Sequence, residues 1–401
     1  MLAVVLAACA KGGSETRPES EVQIATNHHV FGFRSLAGFD ELPIDPARVV
    51  TDRGLMSFAI DSTYSLSLVG HAVGTDTYAL TNAGELALYI TGNAREPSVV
   101  FRGAYDHVAN DGGLFFTDRV STISSPSIGL FVATEVIPGA VELEGEWHLA
   151  SMHVIFGQSI QSPDNVARAC WGNVAVAAGA PGTQRAIVDD GSGLQNGVTA
   201  VFGGTITNVL QNGTGDGSCD LTLSYQTGSQ TADSRGFHAA AGTELVIGLD
   251  ADEGDGEAGL AFLLRKFDPA TAPAALAEVD GTFLVGGYTT FVNPADPGSD
   301  AFVGVVTIGD AVEGPAGVWT SPFRLDATGN QGIDFGYFGT ATHAADQSGG
   351  MRIVIADSGE VWHAAISRDY KTLIFVDDDP YVFNTGSIEL NLGIGVRQLP
   401  Q

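Results

Sequence analysis

Strict alternation is the feature that most restricts what this chain can become. Near its end Ile388, Leu390, Leu392, Ile394 and Val396 alternate with Glu389, Asn391, Gly393, Gly395 and Arg397. Side chains repeat every second residue along a strand and about every 3.6 residues along a helix, so this segment buries one face only as a β-strand. Tyr64, Leu66 and Leu68 alternate with Ser65 and Ser67, and Leu221, Leu223 and Tyr225 with Thr222 and Ser224. Between such runs stand Asn110-Asp111-Gly112-Gly113, Asp189-Asp190-Gly191, Asn212-Gly213 and Asp357-Ser358-Gly359, the residue types of tight turns. The chain is therefore read as all-β. Short helices are expected only over Pro46–Phe58 and the alanine-rich Pro269–Val279.

A longer repeat overlies this pattern. Ile60-Asp61-Ser62-Thr63-Tyr64, Leu143-Glu144-Gly145-Glu146-Trp147 and Val279-Asp280-Gly281-Thr282-Phe283 all read apolar, acidic, small, polar, aromatic. Apolar runs ending at Asp118, Asp250 and Asp377 answer them downstream, spaced 132 and 127 residues apart, and Gly129, Gly259 and Gly386 each lead a further strand. Three tandem modules follow: 23–140, 141–278 and 279–401. A module of this size suits a small antiparallel β-barrel or β-sandwich, which closes or covers its sheet edges. The alternative is a single β-propeller with two or three blades per repeat. The first module is short between its opening and its close, so residues before Ile60 are expected to supply its missing strands.

The LxGxW/Y-type opening is similar to that of lipocalin-style and other small barrels of bacterial lipoproteins. Leu6-Ala7-Ala8-Cys9 resembles the lipobox of that class, which implies lipidation of Cys9, a signal segment at 1–8 and a flexible tether at 9–22. No basic residue precedes the apolar run, so a start codon upstream of Met1 or a truncated leader is expected. Ala10, where an inner-membrane retention rule would want Asp, points this resemblance toward the outer membrane or cell surface. No other segment offers the ~18 continuous apolar residues of a spanning helix.

With Cys9 lipidated, Cys170 and Cys219 remain for one disulfide in an oxidising compartment. That bridge would contribute about 4 kcal/mol on the loop-entropy model. Asp and Glu outnumber Lys and Arg 47 to 18, for a formal charge of -29, which excludes nucleic acid and anionic headgroups as partners.

Chemical motifs are sparse. The sequence has no GxSxG elbow or HExxH helix, and no Walker-type phosphate loop or GxGxxG fingerprint placed after a strand and before a helix. His107, His238 and His363 each precede a closing strand, a recurrence that repeat structure explains better than one metal site. His148 and His153 lie five apart, on opposite faces of a strand. Asp250-Ala251-Asp252-Glu253-Gly254-Asp255-Gly256-Glu257 is the acidic loop with most ligand character: Asp250, Asp252, Asp255 and Glu257 are the candidate Ca²⁺ ligands, although the order misses the EF-hand pattern. The bland reading of the same loop is a solvated acidic hairpin.

Two function classes stay open. One is a lipid-anchored extracytoplasmic protein whose β modules bind a ligand or cell-envelope component or serve structurally. The other is a secreted, glycan-active hydrolase using two carboxylates drawn from Asp118, Asp250, Glu257 and Asp377. Absence of a catalytic motif favours the first.

Overall fold

The computed structural model describes residues 24–398 except for 37–43, 70, 91–97, 106–113, 119–126, 140–142, 157–166, 178–182, 190, 196–197, 203, 214–216, 228–232, 252–255, 269–278, 293–297, 330–333, 345–347 and 378–387. Its strands form three tandem antiparallel barrels. The first runs in chain order through β1 (Thr26–Leu36), β2 (Val49–Phe58), β3 (Thr63–Leu68), β4 (His71–Leu80), β5 (Glu85–Ile90), β6 (Ser98–Tyr105), β7 (Leu114–Asp118) and β8 (Ser127–Glu135), and closes where β8 pairs with β1.

The second begins with β9 (Gly145–Ile155), β10 (Ala167–Ala177) and β11 (Thr183–Asp189). A separate hairpin of β12 (Gly191–Gln195) and β13 (Val198–Phe202) interrupts it. It resumes with β14 (Gly204–Gly213), β15 (Ser218–Thr227), β16 (Asp233–Ala241), β17 (Leu245–Ala251) and β18 (Glu257–Arg265), and β18 closes on β9.

The third comprises β19 (Gly281–Val292), β20 (Gly298–Ile308), β21 (Val312–Glu313), β22 (Trp319–Gly329), β23 (Asp334–His343), β24 (Gly350–Ile355), β25 (Val361–Ile366), β26 (Thr372–Asp377) and β27 (Ile388–Arg397). Pairing of β20 with β22 completes the ring, and β21 is a two-residue addition alongside β22.

Three sequence expectations are corrected. The Pro46–Phe58 helix is a single 3-10 turn, Pro46–Arg48, followed by β2: the Asp45 carboxylate accepts from the Ala47 amide, and β-branched Val49, Val50 and Thr51 then favour a strand. The propeller alternative is replaced by closed barrels. The opening of the first module is Ile24–His28 rather than Ile60–Tyr64. Ile24, Leu143 and Val279 are all buried just before β1, β9 and β19, whereas Ile60 is 65% exposed in the β2–β3 turn. There Asp61 imitates the motif by accepting from the amide and hydroxyl of Thr63. The Asn212-Gly213 turn signal falls at the end of β14, while Asp357-Ser358-Gly359 makes the β24–β25 turn with Gly359 at φ 76°. Residues 269–278, which carry nearly all of the expected alanine-rich helix, and Gly386 lie outside the described residues.

A repeated plug shows why the openings look alike. The first-strand aromatics Trp147 and Phe283 sit directly across from Arg265 and Arg397 on the last strands. Each guanidinium lies over its ring, at 4.1 Å and 6.0 Å from the centroid. Gly145, at φ 126°, admits this approach, since a Cβ there would lie 2.7 Å from Arg265 Nη1. The first barrel carries Glu135 where the others carry Arg, and it has Thr26 and His28 at the small and aromatic positions. Thr26 donates its hydroxyl to Glu135 over 3.1 Å, and His28 packs edge-on against Phe58 and Tyr105.

The barrels do not form a string; each packs against both others. Phe31, Phe33, Leu130 and Val132 from the first meet Met152, Ile247, Leu249, Leu260 and Phe262 from the second and Tyr288, Ile374, Val376, Leu392 and Ile394 from the third in one shared core. Strands at this junction are buried on both faces: β17, β18 and β26 read as near-continuous apolar runs because neither face meets water. The alternate side chains fill the barrels, as Trp147, Leu149, Phe237 and Leu263 do in the second and Phe283, Phe302, Trp362 and Phe375 in the third.

Polar ties lock the junction. Ser35 and Ser299 hydroxyls hydrogen-bond between the first and third barrels. Arg368 donates to the Glu244 carboxylate between the third and second, from Nε at 3.0 Å and from Nη2 at 2.5 Å. Trp171 of β10 lies sandwiched between His148 and His363, stacked on each at 5.6 Å.

Candidate functional site

The end of each barrel opposite the aromatic plug holds a polar set built on equivalent positions. The ninth residue of the first strand is Arg34, His153 or Thr289. It faces Gly129, Gly259 or Asn391 on the last strand. The closing acids Asp118 and Asp250 pair in register with Gly129 and Gly259, and Asp377 hydrogen-bonds to Asn391. One backbone arrangement thus carries three different side-chain solutions.

In the first barrel Arg34 donates from Nε to Asp52, which is 4% exposed, at 2.7 Å. The side chain of Asp118 lies outside the described residues. In the third, Asn391 donates from Nδ2 to Asp377 at 3.1 Å and accepts the Thr289 hydroxyl. Glu389 on the same strand is pushed up to about 6, by burial first and by Glu360 and Asp300 after it, against the opposing hydrogen bond from Asn391.

The second barrel brings together His153, Asp250 and Glu257, whose ligand atoms all lie within 4.8 Å of one another. His153 Nδ1 stands 3.5 Å from Asp250 Oδ2, with both side chains at 2 to 3% exposure. Phe237 meets the imidazole edge-on at 5.9 Å. Gly259 makes the arrangement sterically feasible, because a Cβ there would lie 2.4 Å from His153 Nδ1. Glu257 is partly exposed at the start of β18, beside a backbone tie from the Phe156 amide to the Gly256 carbonyl at 2.8 Å.

Of the expected Ca²⁺ ligands, Asp250 and Glu257 are therefore brought together, while Asp252 and Asp255 lie outside the described residues. His153, which the spacing argument placed only on a strand face, joins them. The residue that could have revealed it is Gly259, the register partner of both Asp250 and His153, read from sequence merely as a strand leader. His148 faces the junction instead, with Nε2 3.0 Å from the Ser348 carbonyl. His238 pairs with Asp220 at 2.8 Å on the second barrel's outer surface, His363 stacks on Trp171, and His107 lies outside the described residues. The hydrolase candidates are divided among three barrels, with only Asp250 and Glu257 adjacent among the described residues.

The expected Cys170–Cys219 disulfide is not formed among the described residues. Both cysteines belong to one register row around the second barrel, through Ala239, Gly248, Ala261 and Ser151. Five strand spacings separate them along that row, roughly 24 Å of barrel wall, against the ~7 Å Cα separation that a disulfide tolerates. Burial first, then Asp220, pushes the Cys219 thiol up to about 12.

The fold defines an all-β protein of three antiparallel barrels on one shared core. No protein-family profile and no curated protein matches the chain. Among solved structures it is similar to a double mutant of Transferrin Binding Protein B from Haemophilus parasuis Hp5, at TM-score 0.29 and 9% identity, covering 95% of this chain and 77% of that one. Intact Ap-TbpB, with N and C lobes, gives TM-score 0.27 and 9% identity over 96% and 80% of the two chains. Isotype 1 Transferrin binding protein B from serogroup B Neisseria meningitidis gives 0.26 and 8% over 94% and 77%. At these scores the barrel assignment rests on strand register alone.

Proposed function

We propose that this protein is a lipid-anchored, extracytoplasmic binding protein of the bacterial outer membrane or cell surface, which engages a ligand or cell-envelope component with surfaces at its loop ends. The observation that carries this reading is how the barrels are filled. Among the described residues apolar side chains fill each barrel up to the polar set at one end, and one flank of each is spent on the shared core, so recognition falls to strand ends and outer walls. The hydrolase alternative loses support at the same place. Asp250, half of the one adjacent carboxylate pair among the described hydrolase candidates, is 2% exposed, which keeps a sugar ring from reaching it.

Anchoring rests on the Leu6-Ala7-Ala8-Cys9 motif, and Cys9 lies outside the described residues. The test is detergent phase partitioning of the chain expressed in a Gram-negative host with a basic segment fused ahead of Leu2, alongside incorporation of an alkyne-tagged fatty acid. The parent protein is expected in the detergent phase and labelled, and Cys9→Ala in the aqueous phase and unlabelled. Full membrane retention of Cys9→Ala would overturn the anchor.

A further inference from the structure

We propose that His153, Asp250 and Glu257 form a divalent transition-metal site, of Zn²⁺ type rather than Ca²⁺ type, at the polar end of the second barrel. Three features carry the argument. First, the ligands come from β9, β17 and β18, whose mutual register is fixed by the closed barrel, so the set is held by rigid strands rather than a loop. The 3.5 Å between His153 Nδ1 and Asp250 Oδ2 is close to the ~3.4 Å that separates two ligands on a tetrahedral zinc with bonds of about 2.1 Å.

Second, the donors are one imidazole nitrogen and two carboxylates. Imidazole suits Zn²⁺ and its first-row neighbours, whereas Ca²⁺ seeks six to eight oxygens. A divalent ion held between two close carboxylates turns their mutual repulsion into shared attraction where burial makes electrostatics strong. Glu257, the partly exposed member, marks the side from which an ion enters and on which water completes the coordination.

Third, the set is particular to this barrel. The equivalent positions hold Arg34 with Gly129 in the first barrel and Thr289 with Asn391 in the third, and neither pair provides a metal ligand of this kind. Only the second combines a ligating side chain on the first strand with a glycine opposite that leaves room for its ring.

Titration calorimetry on the full chain after exhaustive chelation tests this directly, using Zn²⁺ and then Ca²⁺ as the probes. One Zn²⁺ per chain is expected, bound at least tenfold more tightly than Ca²⁺. His153→Gln should lower the zinc affinity at least tenfold and alter the visible spectrum of the Co²⁺-loaded protein. Because His153 is buried, Glu257→Gln serves as the second variant: it should weaken zinc at least tenfold with an unchanged far-UV circular dichroism spectrum. Failure of the parent to take up stoichiometric Zn²⁺, tighter binding of Ca²⁺, or an unchanged zinc affinity in Glu257→Gln would each overturn the site.

Discussion

His28 shows how one substitution inside a repeat creates a pH response. It occupies the position of Trp147 and Phe283, is fully buried, and has neither ring nitrogen hydrogen-bonded among the described residues. Burial first, then His29, holds it down to about 3, so the folded protein keeps it neutral while the unfolded chain protonates near its ordinary value of 6.5. The unfolded state therefore binds the extra proton between those values, and stability falls as pH drops below about 6.5. His343, held down to about 4 by burial, acts in the same direction. Glu389, raised to about 6 from 4.5, acts oppositely: its contribution is complete below 4.5 and lost as pH rises through 6. For His28 alone, lowering pH from 7 to 4.5 costs roughly 2 to 3 kcal/mol. His28→Phe should remove that part of the acid loss, and urea unfolding at the two pH values measures it. An acid loss equal to that of the parent would show that His28 is not responsible.

At the scale of the element, the apolar runs that end in aspartate are the strands with no solvent face. In β26, Leu373 and Phe375 fill the third barrel while Ile374 and Val376 enter the shared core. A strand on an ordinary barrel wall would tolerate polar residues at alternate positions, as β3 does with exposed Ser65 and Ser67. Truncating the outward-facing Ile374 to Ala should thus cost as much as a core deletion, about 2 to 5 kcal/mol, rather than the few tenths of a surface change. Urea titration gives that difference. The sequence repeat was legible at these strands because burial on both faces makes them conspicuous. It was misread at the first module's opening because Thr26 and His28 replace the glycine and aromatic that Arg265 and Arg397 require elsewhere.

At the scale of the molecule, one core spans all three barrels, so none can lose its outer packing without exposing the others. The Arg368–Glu244 pair and the Trp171 sandwich reinforce the same joint. Differential scanning calorimetry should show a single cooperative transition, and Phe262→Ala, in the shared core, should lower it as a whole. Three resolved transitions, with only one displaced by that variant, would mean that the barrels unfold independently.

Alternation, turn residues and the spaced aspartates were enough to establish an all-β chain of repeated units, because strand periodicity is written locally in two-residue steps. Closure of each sheet, the triangular packing of the barrels and the meeting of His153 with Asp250 and Glu257 were decided only in three dimensions. They depend on which strands become neighbours: residues 97 and 104 positions apart share one site because β9 and β17 both pair with β18, a relation that no local spacing records.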